Sequence, residues 1–207
     1  MSDTSGDKAV QGTRFVRASE HRTWEGGPST TFSNRLARAV FQIVWLLLAS
    51  WTPPFLHRWR RLILRLFGAR MAPTARVYSS ARIWAPWNLE LEDYACIGPK
   101  ATAYSMALIS LGPYSIVSQG VYLAAGTHDI SDPDFQILAK PIRVGARAWL
   151  AAQAFVGPGV TVGEGAVLGA RGCAFRDLDP WTVYVGNPAK PLKKRVLRDQ
   201  PAAPRKS

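Results

Sequence analysis

Residues 144–179 read VGARAWLAAQAFVGPGVTVGEGAVLGARGCAFRDLD, and an apolar residue returns at every sixth position. Val144, Leu150, Val156, Val162, Leu168 and Ala174 keep that spacing, and the next residue is small in the first five hexads: Gly145, Ala151, Gly157, Gly163 and Gly169. Four positions after the leaders stand Ala148, Ala154, Val160, Ala166 and Gly172. An α-helix cannot produce this, because every sixth residue wanders around its cylinder. A plain strand has period two and does not tolerate recurrent Gly and Pro in its interior. What fits is a short strand, a tight turn and another short strand, repeated as a solenoid with one aliphatic side chain per side pointing inward.

In such a solenoid each strand pairs with its equivalent in the next coil at roughly 4.8 Å. Aliphatic leaders then stack into columns, while Gly and Ala let the backbone turn. With three hexads per coil, Val144 lies over Val162, Leu150 over Leu168 and Val156 over Ala174. Upstream the hexads are imperfect. They begin at Val77, Ile83 and Leu89, shift by two to Leu91, Ile97 and Ala103, and shift by two again to Leu111, Val117 and Leu123. The shifts predict corners with extra residues.

A chain of 207 residues makes one domain, or one domain with a helical appendage. Its net charge of +12 points to anionic partners: membrane phospholipid or a phosphorylated cofactor or substrate. Nucleic acid is disfavoured, because no binding motif accompanies the charge. Cys96 and Cys173 form no metal or redox spacing and read as reduced thiols in a cytosolic chain.

Residues 1–31 form a polar, flexible arm without a signal-peptide pattern, and His21 within it reads as solvent-exposed. Residues 32–69 predict a helical hairpin. Its first half, NRLARAVFQIVWLLLASW (34–51), is very apolar, with Ser33 or Asn34 as N-cap, and is shorter than the ~20 residues that cross a bilayer. Its second half, Phe55–Gly68, carries Arg58, Arg60, Arg61 and Arg65 among aliphatic residues, with His57 at the turn. No acidic residue occurs between Glu25 and Glu90. Three readings remain open for the hairpin: docking on an anionic membrane face, packing on the solenoid end or a neighbouring subunit, or a re-entrant or spanning helix. Residues 70–184 form the solenoid, interrupted by a loop at 129–141, and 185–207 form a basic C-terminal segment.

Four stretches, GTHDISDPDF (126–135), KPIRVGARAWLAAQAFVGPGVTVGEGAVLGA (140–170), VGNPAK (185–190) and RRLILRLFGARM (60–71), carry a family resemblance. The chain resembles the hexapeptide-repeat acetyltransferases over most of residues 32–195, in their sugar O-acetyltransferase branch and nearest the colanic-acid-biosynthesis type. The resemblance implies an all-β solenoid of the left-handed parallel β-helix kind, a homotrimer, and acetyl-CoA as donor in a groove between subunits. The implied acceptor is a saccharide, an exopolysaccharide precursor, and a lipid-linked one would account for the apolar, basic hairpin.

Acetyl transfer to a hydroxyl needs a base, and imidazole titrates close to neutrality. His128 is the single histidine of the repeat region. Alone it reads equally as a structural or exposed side chain; the resemblance assigns it the base. By the same resemblance Ala152 and Ala170 contact the cofactor, and Lys190 and Lys193 meet its phosphates. Phe175 departs from the small hydroxyl residue usual at its position. Trp149 lines the cofactor or acceptor pocket or serves packing, and Ser105 stands where relatives place an acceptor-binding Asn. No metal is expected: zinc-dependent solenoid relatives use a histidine triad, and Asp129, Asp132 and Asp134 with Pro133 do not resemble a calcium loop. Transfer is direct, since neither cysteine lies in a nucleophile motif. An N-acetyltransferase acting on an amino sugar or nucleotide-sugar fits the same scaffold. A non-catalytic membrane-surface scaffold is the other alternative, and it has no use for His128 in its motif.

Overall fold

The computed structural model describes residues 15, 17–21 and 27–197. Most of the polar arm predicted for residues 1–31, the side chain of His21 and the end of the chain from residue 198 lie outside the described residues. The rest is a parallel β-solenoid of about six turns that fits the left-handed β-helix, with helices α1 (Ala18–His21), α2 (Phe32–Leu48) and α3 (His57–Leu66) on the N-terminal side.

Three columns of inward side chains make the core. The first face stacks Met71, Leu91, Leu111, Val144 and Val162. The second stacks Val77, Ile97, Val117, Leu150, Leu168 and Tyr184. The third stacks Ile83, Ala103, Leu123, Val156 and Ala174. All are buried. The three overlays expected from the hexads are the observed register.

All variation in coil length falls at one corner, from the third face to the first. Elsewhere the leaders advance by six. Met71 lies under Leu91, and Leu91 under Leu111, 20 residues on, so the first-face leader is Leu91 rather than Leu89. The extra residues of the first coil form a 3₁₀ turn at Pro86–Asn88. Between Leu111 and Val144 this corner holds a whole hairpin, and Val162 follows Val144 after 18 residues.

The small residues after the leaders act differently from expectation. Gly145, Gly157, Gly163 and Gly169 do not have positive φ; a Cβ on Gly145 would sit 2.7 Å from the Glu164 nitrogen of the next coil. They are small because coils approach closely there. The left-handed corner positions go mostly to other residues: Tyr94, Tyr114, Arg147 and Trp181 at one corner, Lys100, Gln153 and Arg171 at the next, with φ of 53–60°. This conformation costs roughly 1–2 kcal/mol for an L-residue. The offset is visible: the N–H groups of Tyr114, Arg147 and Trp181 each donate at 2.8 Å to the previous coil, at Asp93, Pro113 and Glu164.

Within the ladder, N–H groups of one coil donate to carbonyls of the following coil, as Arg76 does to Ala95 and Tyr78 to Ile97. The first coil therefore has carbonyls with no coil before it. The helices fill them with side-chain donors. Arg65 Nε bonds Met71 O at 3.0 Å, Arg61 Nη1 bonds Ala75 O at 3.0 Å, Arg60 Nε bonds Val77 O at 2.7 Å, and Gln42 Nε2 bonds Ile83 O at 2.8 Å. A guanidinium has five donors and no acceptor, so a row of orphan carbonyls suits it. Arg60 is fully buried, its other N–H groups reaching Thr52 Oγ1 (2.8 Å), Pro53 O (2.9 Å) and Pro54 O (2.7 Å). Of the readings left open for the hairpin, packing on the solenoid end is the one these bonds bear out: of Arg58, Arg60, Arg61 and Arg65, three are turned onto the first coil and do not form a cluster facing an anionic surface. No described helix is long and apolar enough to cross a membrane.

His57 belongs to the same cap. Its Nδ1 lies 3.0 Å from both Val77 O and Arg60 Nη2, and its ring meets Tyr78 edge-on. Burial first, and then the nearby charges of Arg60, Arg76 and Arg61, push its pKa below the usual imidazole value, against the opposing bond to Val77. The unfolded chain then binds the extra proton at a pH where the folded chain does not. Stability is complete above about pH 6.5 and falls as pH drops from there toward the lower folded pKa. Thermal unfolding between about pH 7.5 and 5 should show that decline, and His57→Gln should flatten it.

Candidate active site

The segment that breaks the repeat is an antiparallel hairpin, Gly126–His128 paired with Ile137–Ala139, rather than the irregular loop expected at 129–141. Its root is fixed to the solenoid: Ala125 N–H donates to Tyr104 O at 3.1 Å, and Ile142 N–H to Leu108 O at 2.9 Å. A Cβ on Gly126 would collide with the sulfur of the buried Met106, so a larger residue there requires that side chain to shift. At the tip, Asp129 and Asp132 each accept a backbone N–H two residues on, from Ser131 (2.9 Å) and Asp134 (2.8 Å). These Asx turns employ the carboxylates that a cation would need. No group of three or more His, Cys, Asp or Glu side chains converges among the described residues.

His128 is exposed at the end of the first hairpin strand, and its Nδ1 lies 2.6 Å from the Phe135 carbonyl oxygen. A carbonyl can only accept, so Nδ1 carries the hydrogen of this bond, and in the neutral ring Nε2 is the nitrogen with the lone pair. Sequence reasoning missed Phe135 as the orienting group. Its side chain says nothing about the role, which belongs to a carbonyl aimed by a left-handed backbone turn (φ 51°) at the hairpin tip.

The other sequence-derived positions fall elsewhere on the prism. Ala152 and Ala170 stack on successive coils at the corner between second and third faces, where Arg171 N–H bonds Ala152 O at 2.9 Å. Trp149 stands on the second face, 44% exposed, its Nε1–H donating to Ser118 Oγ at 2.9 Å. Lys190 and Lys193 are exposed on the terminal strand Lys190–Lys194, paired with Thr182–Val185. Lys190 also lines a cleft of ≈ 510 Å³ with Phe175, Arg176, Asp177 and Tyr184, which adds a second cation and a carboxylate to the Lys190 and Phe175 positions that the sequence had singled out. Within one chain, His128 and the Ala152–Ala170 wall therefore lie at different corners.

Ser105 does not belong with them. It is fully buried in the long corner of the second coil, and its hydroxyl is within 3.0 Å of Ala85 N and 2.9 Å of Ala85 O. Asn88 braces the same corner through Ser105 O at 2.9 Å. The hydroxyl holds two stacked corners together and has no face toward an acceptor. Both cysteines are free, and burial pushes the Cys96 thiol pKa up, which disfavours a nucleophilic thiolate.

No protein-family model matches the chain. It is 37% identical over 196 residues to the protein assigned as colanic acid biosynthesis acetyltransferase WcaF of Escherichia coli (strain K12), covering 95% of this chain and 98% of that one. In fold it matches a maltose O-acetyltransferase from Clostridium difficile 630 at TM-score 0.70 and 22% identity, over 81% of this chain and 90% of that one. It also matches a galactoside acetyltransferase in complex with coenzyme A at TM-score 0.72 and 16% identity, over 87% and 92% of the two chains. With a parallel solenoid register and a near full-length relative in agreement, the chain belongs to the hexapeptide-repeat acetyltransferases.

Proposed function

We propose that the protein is an acetyl-CoA-dependent O-acetyltransferase acting on a saccharide, an exopolysaccharide precursor carried on lipid. The observation that carries this reading is the Phe135 carbonyl holding the His128 ring with Nε2 free. His128 Nε2 takes the proton of the sugar hydroxyl as its oxygen attacks the thioester carbonyl carbon. The tetrahedral oxyanion is met by backbone amides, the carbon–sulfur bond breaks, and the imidazolium returns its proton to the coenzyme A thiolate.

The residues present fit such a donor. Ala152 and Ala170 give a small-residue wall for a pantetheine arm, while Arg176 and Lys190, which share one cleft with Asp177, and Lys193 on the terminal strand together leave a net positive charge for its phosphates. Phe175 in that cleft offers an apolar surface at the place where a hydroxyl residue is usual. A galactoside acetyltransferase of this fold holds coenzyme A, which supports the choice of donor. The separation of His128 from the Ala152–Ala170 corner within one chain supports a homotrimer, in which one subunit supplies the base and its neighbour the donor wall. Trp149 remains a candidate for lining that groove.

The test is incubation of the protein with labelled acetyl-CoA and a panel of free, nucleotide-linked and lipid-linked sugars. Label in an alkali-labile ester on a lipid-linked sugar is the expected product. Label in an alkali-stable amide of an amino sugar would replace this reading with N-acetyl transfer, and no transfer to any acceptor would overturn it.

A further inference from the structure

Helices α2 and α3 cap the first coil with one side and leave the other uncovered. On α2 the buried positions are Asn34, Phe41 and Trp45, while Leu36, Ile43 and Leu47 on the opposite side are more than half exposed. The apolar surface continues past the helix end. Trp51 is 71% and Phe55 78% exposed, and Leu66 of α3 is 75% exposed. A helix apolar on both sides requires something apolar outside it.

Two details indicate what that is. The exposed indoles have their polar groups occupied: Trp51 Nε1–H donates to Leu47 O and Trp59 Nε1–H to Leu48 O, both at 2.7 Å. Their outer edges are hydrocarbon, able to leave water without an unsatisfied donor. The rim is of one sign. Arg35 and Arg58 border the surface, both exposed, and the chain has no acidic residue between Glu25 and Glu90. A second copy of this surface would bring like charges together at its rim, whereas an anionic lipid leaflet would complement it. The longer terminal stretches outside the described residues, 1–14 and 198–207, are polar and hold no apolar run to cover it.

We infer that α2 and α3 form an apolar wedge that lies in the interface of an anionic lipid bilayer. At 17 residues, α2 is ~25 Å long, below the ~30 Å of a hydrocarbon core, so the helix lies in the surface and does not span it. Insertion is driven by the apolar face, with Arg35 and Arg58 at headgroup level. Arg60, Arg61 and Arg65 take no part, being held by the first coil. The inference is independent of the acetyl-transfer reading, because it is read without turnover.

The experiment is flotation of the full-length protein with phosphatidylcholine vesicles containing roughly one-third phosphatidylglycerol, alongside tryptophan emission. The parent should float, shift its emission to the blue, and keep part of its binding in about 0.5 M salt, where surface charge is screened. A variant carrying Leu47→Glu, Phe55→Glu and Leu66→Glu, all at exposed sites, should fold with the parent's thermal stability and lose more than about a hundredfold in partitioning. Binding unchanged in this variant would overturn the inference. So would a parent that does not float, including one whose light-scattering mass drops on the same substitutions, since the face would then be a contact between subunits.

Discussion

Replacing His128 by Ala or Asn should lower turnover by roughly 10²–10⁴, the usual contribution of a positioned acid–base group, with acetyl-CoA affinity nearly unchanged. The expectation rests on the fixed ring: Phe135 O holds Nδ1–H, so only Nε2 can take a proton. His128 is exposed and packs on no core, so the loss should come without a loss of stability. Steady-state kinetics with a separate coenzyme-binding isotherm divides the two effects. A variant with near-parental kcat would remove His128 from the mechanism, and one that has lost coenzyme binding would give the residue a binding role.

The second large effect concerns the cap. Arg60→Ala should destabilise the N-terminal coils by roughly 3–5 kcal/mol, because it removes at once a donor shared by several buried and half-buried oxygens. Those oxygens are Val77 O, Thr52 Oγ1, Pro53 O and Pro54 O. Arg60→Lys should recover only part of the loss, since an ammonium is a point donor without the planar fork that reaches all four. Hydrogen exchange should locate the damage. In a solenoid each coil contacts only its neighbours, so amides of residues 71–83 should lose protection while those of 144–174 keep it. Uniform loss of protection along the chain would show that the cap acts on global rather than local stability.

These two sites mark what could and could not be read from the residues. The columns from Val144 to Ala174 were legible because one inward position per side must be aliphatic, and that constraint repeats without interruption. The leader Leu91 was obscured by Leu89, which is buried as well, because the longer first-face strand Leu89–Leu91 points two side chains inward. The sequence leaves the role of the α3 arginines open for a physical reason. A donor aimed at a carbonyl and one aimed at a phosphate are the same side chain, and the orphan carbonyls exist only once the solenoid is built. His128 stood out as the lone imidazole of the repeat, but its tautomer depends on a main-chain oxygen that any residue at 135 could supply. Ser105 failed in the opposite sense. A hydroxyl at a matched position suggested recognition, and the long corner of the second coil uses it to tie Ala85 in place.

Confining every length change to one corner separates architecture from cargo. The faces keep their six-residue steps whether that corner holds two additional residues, as before Leu91 and Leu111, or the entire hairpin of Gly126–Ala139. The insert that carries His128 is therefore a plug-in part, held at its root by Gly126 and Ile142 and otherwise free to vary. A chain of this architecture can change that segment without disturbing the three stacked columns of the core.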